Sequence, residues 1–508
     1  MKKNKVMLLI LDGYGEGKDY KYNAVTRSKT PFLDQLREKY PSTLLQTSGE
    51  AVGLPKGTMG GSEVGHFTIG AGRVVFQFLE EINRSIRSGK FFKRKELKKA
   101  AEICRKNDSK FHILGMISDE GVHSHLDHLF SLLKFAKQEK LKKVYIHAIT
   151  DGRDVPERSA DKFFKRIQKE IKSLKLGKIA TIIGRYYAMD RDTNYGRTKK
   201  AYDLLTLGKG TKESDPLKAI KNEYKRGTDT DYYVEPIILD KEGLVEPKDS
   251  VVFFNYRTDR AKQLTEIFTD KKCSVMKREK LVFPHFVCFG PYTKFAPVMF
   301  TTVDVKNNLS ETLSKVGKKQ LRVCETEKYP HVSFFFNSQI KKPFKGEKHI
   351  NVPSPKVASY NLKPEMTMPV MTREFLKEFK KNSNYDLILI NFAGSDLVPH
   401  SGEFKAAVKA VETIDKCLKK IVPLALEKGY TILLSADHGN AEYMKYANGE
   451  NCPAHTKNPV IFIYISDQNK NIKLLKGKSL GLKDIAPTIL EILEIRQPKE
   501  MTGKNLKL

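Results

Sequence analysis

Short runs of Val, Ile and Leu, each ending abruptly in polar residues, recur along this chain from end to end. They include residues 6–13 (VMLLILDG), 112–121 (HILGMISDEG), 144–154 (VYIHAITDGRD), 179–192 (IATIIGRYYAMDRD), 251–260 (VVFFNYRTDR), 387–396 (LILINFAGSD) and 431–440 (TILLSADHGN). Continuous apolar runs of this length predict strands buried on both faces. Helical periodicity lies between them. Thr30-Pro31 opens one helix, and residues 403–427 form an amphipathic one. Alternating strands and helices predict an α/β fold with parallel sheets. A chain of 508 residues is too long for one ordinary core, so two domains are expected.

In open α/β sheets, ligands bind outside the carboxyl ends of the strands. Here nearly every such end carries Asp, His or Arg. Asp12, Ser62, Asp396, His400, Asp437, His438 and His455 stand out as a metal-type constellation with a candidate nucleophile. Taken singly, Asp12 also reads as a turn residue, Asp437 as a helix cap and His455 as a core histidine. Asp396 and His400 are four apart, so a helix starting there points both the same way. Pro399 fits only in its first turn. A mixed Asp/His set suits Mn²⁺, Zn²⁺ or Fe better than Ca²⁺, and there are enough ligands for two ions. Two metals can clamp a phosphoryl group and turn a serine into an alkoxide-like nucleophile.

Composition narrows the class. With 40% hydrophobic and 30% charged residues, the chain is neither disordered nor membrane-spanning in character. No apolar run approaches the roughly 20 residues a bilayer crossing needs. The basic start, Met1 to Lys5, before Val6–Leu11 superficially resembles a signal peptide. The apolar stretch is too short, and Asp12-Gly13 stands where a cleavage site would be. Cys104, Cys273, Cys288, Cys324, Cys417 and Cys452 are scattered without C-x-x-C pairs, so reduced thiols and a cytoplasmic enzyme are expected. The net charge of +31 points either to an anionic partner or to a lysine-rich solvated surface. Lysines between apolar helical positions, as in residues 137–143 and 165–178, favour the second reading.

The segment Met59-Gly60-Gly61-Ser62-Glu63-Val64-Gly65-His66, followed by Ile69-Gly70-Ala71-Gly72-Arg73, resembles the nucleophile loop of the cofactor-independent phosphoglycerate mutases. The likeness continues through LDGYG (11–15), DEGVHSH (119–125), DGRDVP (151–156), GRYYAMDRD (184–192) and NYRTDRA (255–261). It resumes in ETEKYPHV (325–332), NFAGSDLVPHSG (391–402), ADHGN (436–440) and AHTKNPV (454–460).

The resemblance implies an alkaline-phosphatase-like parallel-sheet α/β domain, residues 1–76 and 311–508. A second α/β domain, residues 77–310, would be inserted into it and bind substrate. It implies interconversion of 3-phosphoglycerate and 2-phosphoglycerate through a phosphoserine at Ser62, without 2,3-bisphosphoglycerate. One metal would be held by Asp396, His400 and His455, the other by Asp12, Asp437, His438 and Ser62. The expected ion is Mn²⁺, with Mg²⁺ or another divalent ion as the alternative. His123, Arg153, Arg185, Arg191, Arg257 and Arg260 would bind the substrate. Asp154 would move protons on the glycerate hydroxyls, and Lys328 would stabilise the phosphoryl group. The expected partner is this small molecule alone, with no specific nucleic acid, no membrane and a monomeric chain. Domain closure would keep water from hydrolysing the phosphoserine.

Three positions depart from the family pattern. Gly61 stands where an asparagine precedes the serine, Gly394-Ser395 replaces Asn-Pro, and Pro399 replaces a glycine. None removes a proposed ligand. The histidine-rich stretch 123–128 resembles a further metal site, but His125 and His128 are expected as helix-start or packing residues. Tyr186, Tyr187 and Phe334–Phe336 are expected in the core. A phosphatase, phosphodiesterase or phosphopentomutase would share the metal set without needing the arginine set. A nucleic-acid-binding protein is suggested by charge alone and lacks a binding motif.

Overall fold

The computed structural model describes residues 4–301, 304–467 and 472–508. The first three residues of the basic start lie outside that range. The chain divides into two units: Met1–Gln77 with Val303–Leu508, and Phe78–Thr302. Strands are numbered in chain order. The first unit begins with β1 (Lys5–Leu11) and β2 (Ser42–Leu45). The second unit supplies β3 (Phe111–Met116), β4 (Val144–Thr150), β5 (Lys178–Gly184), β6 (Thr211–Lys212), β7 (Ile237–Ile238), β8 (Ser250–Phe253) and β9 (His285–Cys288). The chain returns to the first unit with β10 (Gln320–Glu325), β11 (Glu347–Val352), β12 (Leu387–Phe392), β13 (Tyr430–Ser435) and β14 (Val460–Ile465).

The first unit is built on a sheet of order β11-β10-β12-β1-β13-β14-β2. β1 lies parallel between β12 and β13, with Val6 level with Leu387 on one side and Thr431 on the other. Its interior place follows from its sequence, because Val6 to Leu11 are all fully buried. Each such aliphatic side chain contributes about 1.5–3 kcal/mol relative to exposure. The helix Phe404–Glu427 buries a stripe that includes Ala407, Val411, Ile414, Leu418 and Ile421, as its periodicity predicts. Pro31 opens the helix Pro31–Lys39.

The sheet is parallel through its centre, as expected, and antiparallel at one edge. β14 runs antiparallel to β13, and β2 antiparallel to β14. The segment between β13 and β14 contains no helix, so the chain doubles back instead of crossing over.

The second unit carries a sheet of order β6-β7-β5-β4-β3-β8-β9, parallel apart from the β5–β7 pair. Its central strands are again buried along their length. The run 179–192 is strand only to Gly184, where Arg185–Ala188 turns into a short helix. Among the described residues no helix is long and apolar enough to cross a membrane. All six cysteines are free thiols.

Candidate active site

β10, β12, β1 and β13 are adjacent and parallel, so their carboxyl ends open on one edge. Lys328 follows β10, Asp396 follows β12, Asp12 follows β1, and Asp437-His438 follows β13. Ser62 begins the helix Ser62–Ala71, whose N-cap Gly61 offers no side-chain cap to the first N–H groups. The helix backbone comes close to Asp437. A Cβ on Gly65 would lie 2.8 Å from the Asp437 carbonyl oxygen and 2.9 Å from its Cβ.

Ser62 Oγ is the meeting point. Lys328 Nζ donates to it at 2.7 Å, it lies 3.1 Å from Asp12 Oδ1, and His438 Nε2 is 3.0 Å away. Lys328 also donates to Asp12 Oδ1 at 2.7 Å and Asp396 Oδ2 at 2.6 Å. Burial alone would push the Asp12 carboxyl up, but Lys328 and His438 hold it well below the carboxylate range. The same opposition of burial and Lys328 leaves Asp396 well below its ordinary value. Burial works against the Lys328 charge, and Asp12, Asp396 and Asp437 raise its pKa above the usual lysine value. His438 is also desolvated, yet Asp437, Asp12 and Asp396 hold it up to about 10.

Asp396 and His400 do point the same way, with His400 Nε2 3.3 Å from Asp396 Oδ1. The backbone does this with one short helical turn, Gly394–Leu397, followed by a 3₁₀ turn, Pro399–Ser401, which Pro399 begins. Ser395, one of the departures, donates from Oγ to the Asp12 carbonyl oxygen at 2.7 Å. It therefore ties the Asp396 turn to the end of β1.

The donor set fits a cation. His400 Nδ1 faces the Pro453 carbonyl oxygen at 2.6 Å, and His455 Nδ1 faces that of Gly60 at 2.9 Å. A carbonyl only accepts, so both protons belong on Nδ1 and both Nε2 lone pairs face inward. Those Nε2 atoms are 3.3 Å apart, and His455 Nε2 is 3.2 Å from Asp396 Oδ1. Acceptors crowded this way need a proton or a metal ion among them. Asp437 Oδ2 is buried without a full hydrogen bond, with His66 Nδ1 3.1 Å and His438 Nε2 3.6 Å away.

Among the described residues, two groups have ligand atoms within 4.8 Å of one another: Asp396, His438 and His455, and Asp12, His66 and Asp437. His438 Nε2 lies 3.4 Å from Asp12 Oδ1 and 3.9 Å from Asp396 Oδ1, so it stands between the carboxylates of both groups. His66 was missed by the sequence reading. Its signal was its place four residues after Ser62, on the same helix face. Ser62, Lys328, His331, Asp396, His400 and His455 help line a cavity of about 460 Å³.

In the second unit, the arginines gather around acidic residues. Arg185 is buried and donates to Asp151 Oδ1 at 2.5 Å and Asp154 Oδ2 at 2.6 Å. Asp259 pairs with Arg191 at 3.0 Å and with Arg257 at 3.1 Å. His123 lies 3.9 Å from both Asp154 and Asp259. Burial, followed by Arg185, Arg257 and Arg260, pushes the His123 pKa down to about 4, so it stays neutral among cations. Arg260 donates to the Met189 carbonyl oxygen. Arg153 contributes its backbone N–H to Asp151 and exposes its side chain. Asp151 and Asp259 were not singled out from sequence, although both lie inside the quoted motifs.

His125 caps the helix Leu126–Gln138, and His128 packs within it, bonded to Asn83. Tyr187 and Phe336 are buried. Phe334 instead lines a separate cavity of about 280 Å³ with Tyr329 and Ile340.

The fold is α/β, and at its strand ends carboxylates, imidazoles and a lysine surround one serine, a donor set that fits metal-assisted phosphoryl transfer. The chain is 47% identical over 508 residues to the 2,3-bisphosphoglycerate-independent phosphoglycerate mutase of Moorella thermoacetica, covering 99% of this chain and 98% of the relative. It belongs to the 2,3-bisphosphoglycerate-independent phosphoglycerate mutase family. A Methanosarcina barkeri member, 2,3-bisphosphoglycerate-independent phosphoglycerate mutase 1, is also 47% identical, over 99% of this chain and 98% of its own. The family model for the BPG-independent PGAM N-terminus matches residues 82–294. A crystal structure of Leishmania mexicana phosphoglycerate mutase at low cobalt concentration is 27% identical. It covers 100% of this chain and 98% of its own, with a TM-score of 0.60.

Proposed function

We propose that this chain interconverts 3-phosphoglycerate and 2-phosphoglycerate, with Ser62 carrying the phosphoryl group between the two hydroxyls. The observation that carries the reading is the surroundings of Ser62 Oγ, which has a carboxylate, an imidazole and an ammonium within 3.1 Å. As Ser62 Oγ attacks phosphorus, its hydroxyl proton would pass to the Asp12 carboxylate 3.1 Å away, and the glycerate oxygen would leave with a proton from Asp154. Reversal of the same step onto the other hydroxyl completes the isomerisation, with no net gain or loss of phosphate. Lys328 would balance charge on the transferred group, and the uncapped N–H groups behind Ser62 favour its oxyanions.

Asp396, His400 and His455 would hold one divalent ion, and Asp12, Asp437, His438 and Ser62 the other. Mn²⁺ is the expected ion. Bound there, such ions supply positive charge to the phosphoryl oxygens and lower the serine pKa. In the second unit Arg153, Arg185, Arg191, Arg257 and Arg260, with His123, would grip the carboxylate and phosphate of the substrate through paired hydrogen bonds. Asp154, held by Arg185, would shuttle the proton between the glycerate hydroxyls. A monomer acting in the cytoplasm, where glycolytic intermediates occur, completes the reading.

The test is an isomerase assay on metal-stripped protein given 3-phosphoglycerate, without bisphosphoglycerate, with and without Mn²⁺. Formation of 2-phosphoglycerate that requires Mn²⁺ and disappears in Ser62→Ala is expected. Release of free phosphate without isomerisation would make the chain a phosphatase instead.

A further inference from the structure

His66 is fully buried one helical turn after Ser62. Its Nδ1 lies 2.9 Å from the Ser62 carbonyl oxygen and 3.1 Å from Asp437 Oδ2. Both are acceptors, so the ring proton belongs on Nδ1. Its Nε2 lies 3.0 Å from Asn391 Nδ2, and that same amide nitrogen is 2.7 Å from Asp12 Oδ2. The Asn391 amide has two hydrogens and can serve both. Asp12 takes one, which requires an unprotonated Nε2 to take the other. The two residues thus fix each other's orientation and the histidine tautomer. They form one connected line from Asp12 through Asn391 and His66 to the Ser62 backbone and Asp437.

We propose that His66 and Asn391 are positioning residues for the cation site made by Asp12 and Asp437. His66 is close enough to those carboxylates to be mistaken for a ligand. With Nδ1 engaged by the Ser62 carbonyl and Nε2 by Asn391, neither nitrogen has a lone pair free for an ion. The work of the pair is to hold Asp12 Oδ2 by a donor and to place the positive edge of the imidazole beside Asp437. Asp437 Oδ2 makes no full hydrogen bond, although His66 Nδ1 lies 3.1 Å away, so it keeps a lone pair for a cation. Residues that orient metal-binding groups in this way commonly change affinity by about 10–100-fold when lost. The inference rests on the assignment of Asp12 and Asp437 to a metal site.

Calorimetric titration of Mn²⁺ into the metal-free full chain tests it, with His66→Phe, His66→Asn and Asn391→Leu beside the wild type. His66→Phe fills the same space without a nitrogen. His66→Asn keeps a donor near the Nδ1 position. Two sites in the wild type are expected, with one of them weakened about 10–100-fold by His66→Phe and by Asn391→Leu. His66→Asn is expected to bind close to the wild-type value. Equal Mn²⁺ binding by His66→Phe and the wild type would overturn the proposal. So would equal losses in His66→Phe and His66→Asn, because packing alone would then explain them. A wild-type chain that binds no Mn²⁺ would instead overturn the metal-site reading itself.

Discussion

The Lys328 ammonium hydrogen-bonds Ser62 Oγ at 2.7 Å across 266 residues of sequence. It also donates to both Asp12 and Asp396. Replacing it with Met leaves two buried carboxylates without that partner, a change that costs about 3–5 kcal/mol for a broken buried pair. Lys328→Met should therefore lower the urea stability of the metal-free protein by about that amount, and Mn²⁺ should restore part of it. Wild-type stability without metal would show that Lys328 does not offset these carboxylates.

Glu325, three residues before Lys328, is buried, with its carboxyl bonded to the Thr367 backbone N–H. Burial outweighs its hydrogen bonds and pushes its pKa from 4.5 up to about 7. An acid with a raised folded pKa stabilises the fold below its unfolded pKa, and that contribution is lost as pH rises through the folded value. The Glu325 share of stability should fall between about pH 4.5 and about pH 7. Glu325→Gln, which mimics the protonated acid, should match the wild type near pH 4.5 and exceed it at pH 8. Urea midpoints at the two pH values decide, and a variant no more stable than the wild type at pH 8 would count against the assignment.

Gly65→Ala would gain helix propensity of about 1 kcal/mol at an interior helical position. The new methyl would meet Asp437 at 2.8–2.9 Å. Overpacking of that kind costs about 1–3 kcal/mol, and here it displaces a carboxylate of the site. A lower melting temperature and a loss of isomerase activity are expected together. A more stable, fully active variant would show that this close approach is unimportant.

Arg185 and Arg257 separate two roles that look identical in sequence. Arg185 is buried against Asp151 and Asp154, whereas Arg257 is half exposed beside Asp259. Arg185→Ala should cost about 3–5 kcal/mol by stranding Asp151. Arg257→Ala should leave stability within about 0.5 kcal/mol and raise KM by about 10–100-fold, the worth of one charged hydrogen bond. Thermal unfolding and steady-state kinetics on both variants check the split, and equal destabilisation would contradict it.

Local pattern alone was enough to mark the strands that bury both faces, since continuous Val/Ile/Leu runs have few other stable placements. It also marked the polar residues at their ends, and the order of motifs marked the family. Tertiary structure decided which of those ends are neighbours. β1 is flanked by strands more than 370 residues away in number, and only that pairing puts Asp12, Asp396 and Asp437 around one serine. It also decided the antiparallel edge made by β14 and β2, because a connection without a crossover helix leaves no local periodic signal. The acidic partners Asp151 and Asp259 and the positioning residues His66 and Asn391 belong to the same category. Their value lies in hydrogen bonds to residues far along the chain, and local pattern carries no record of such partners.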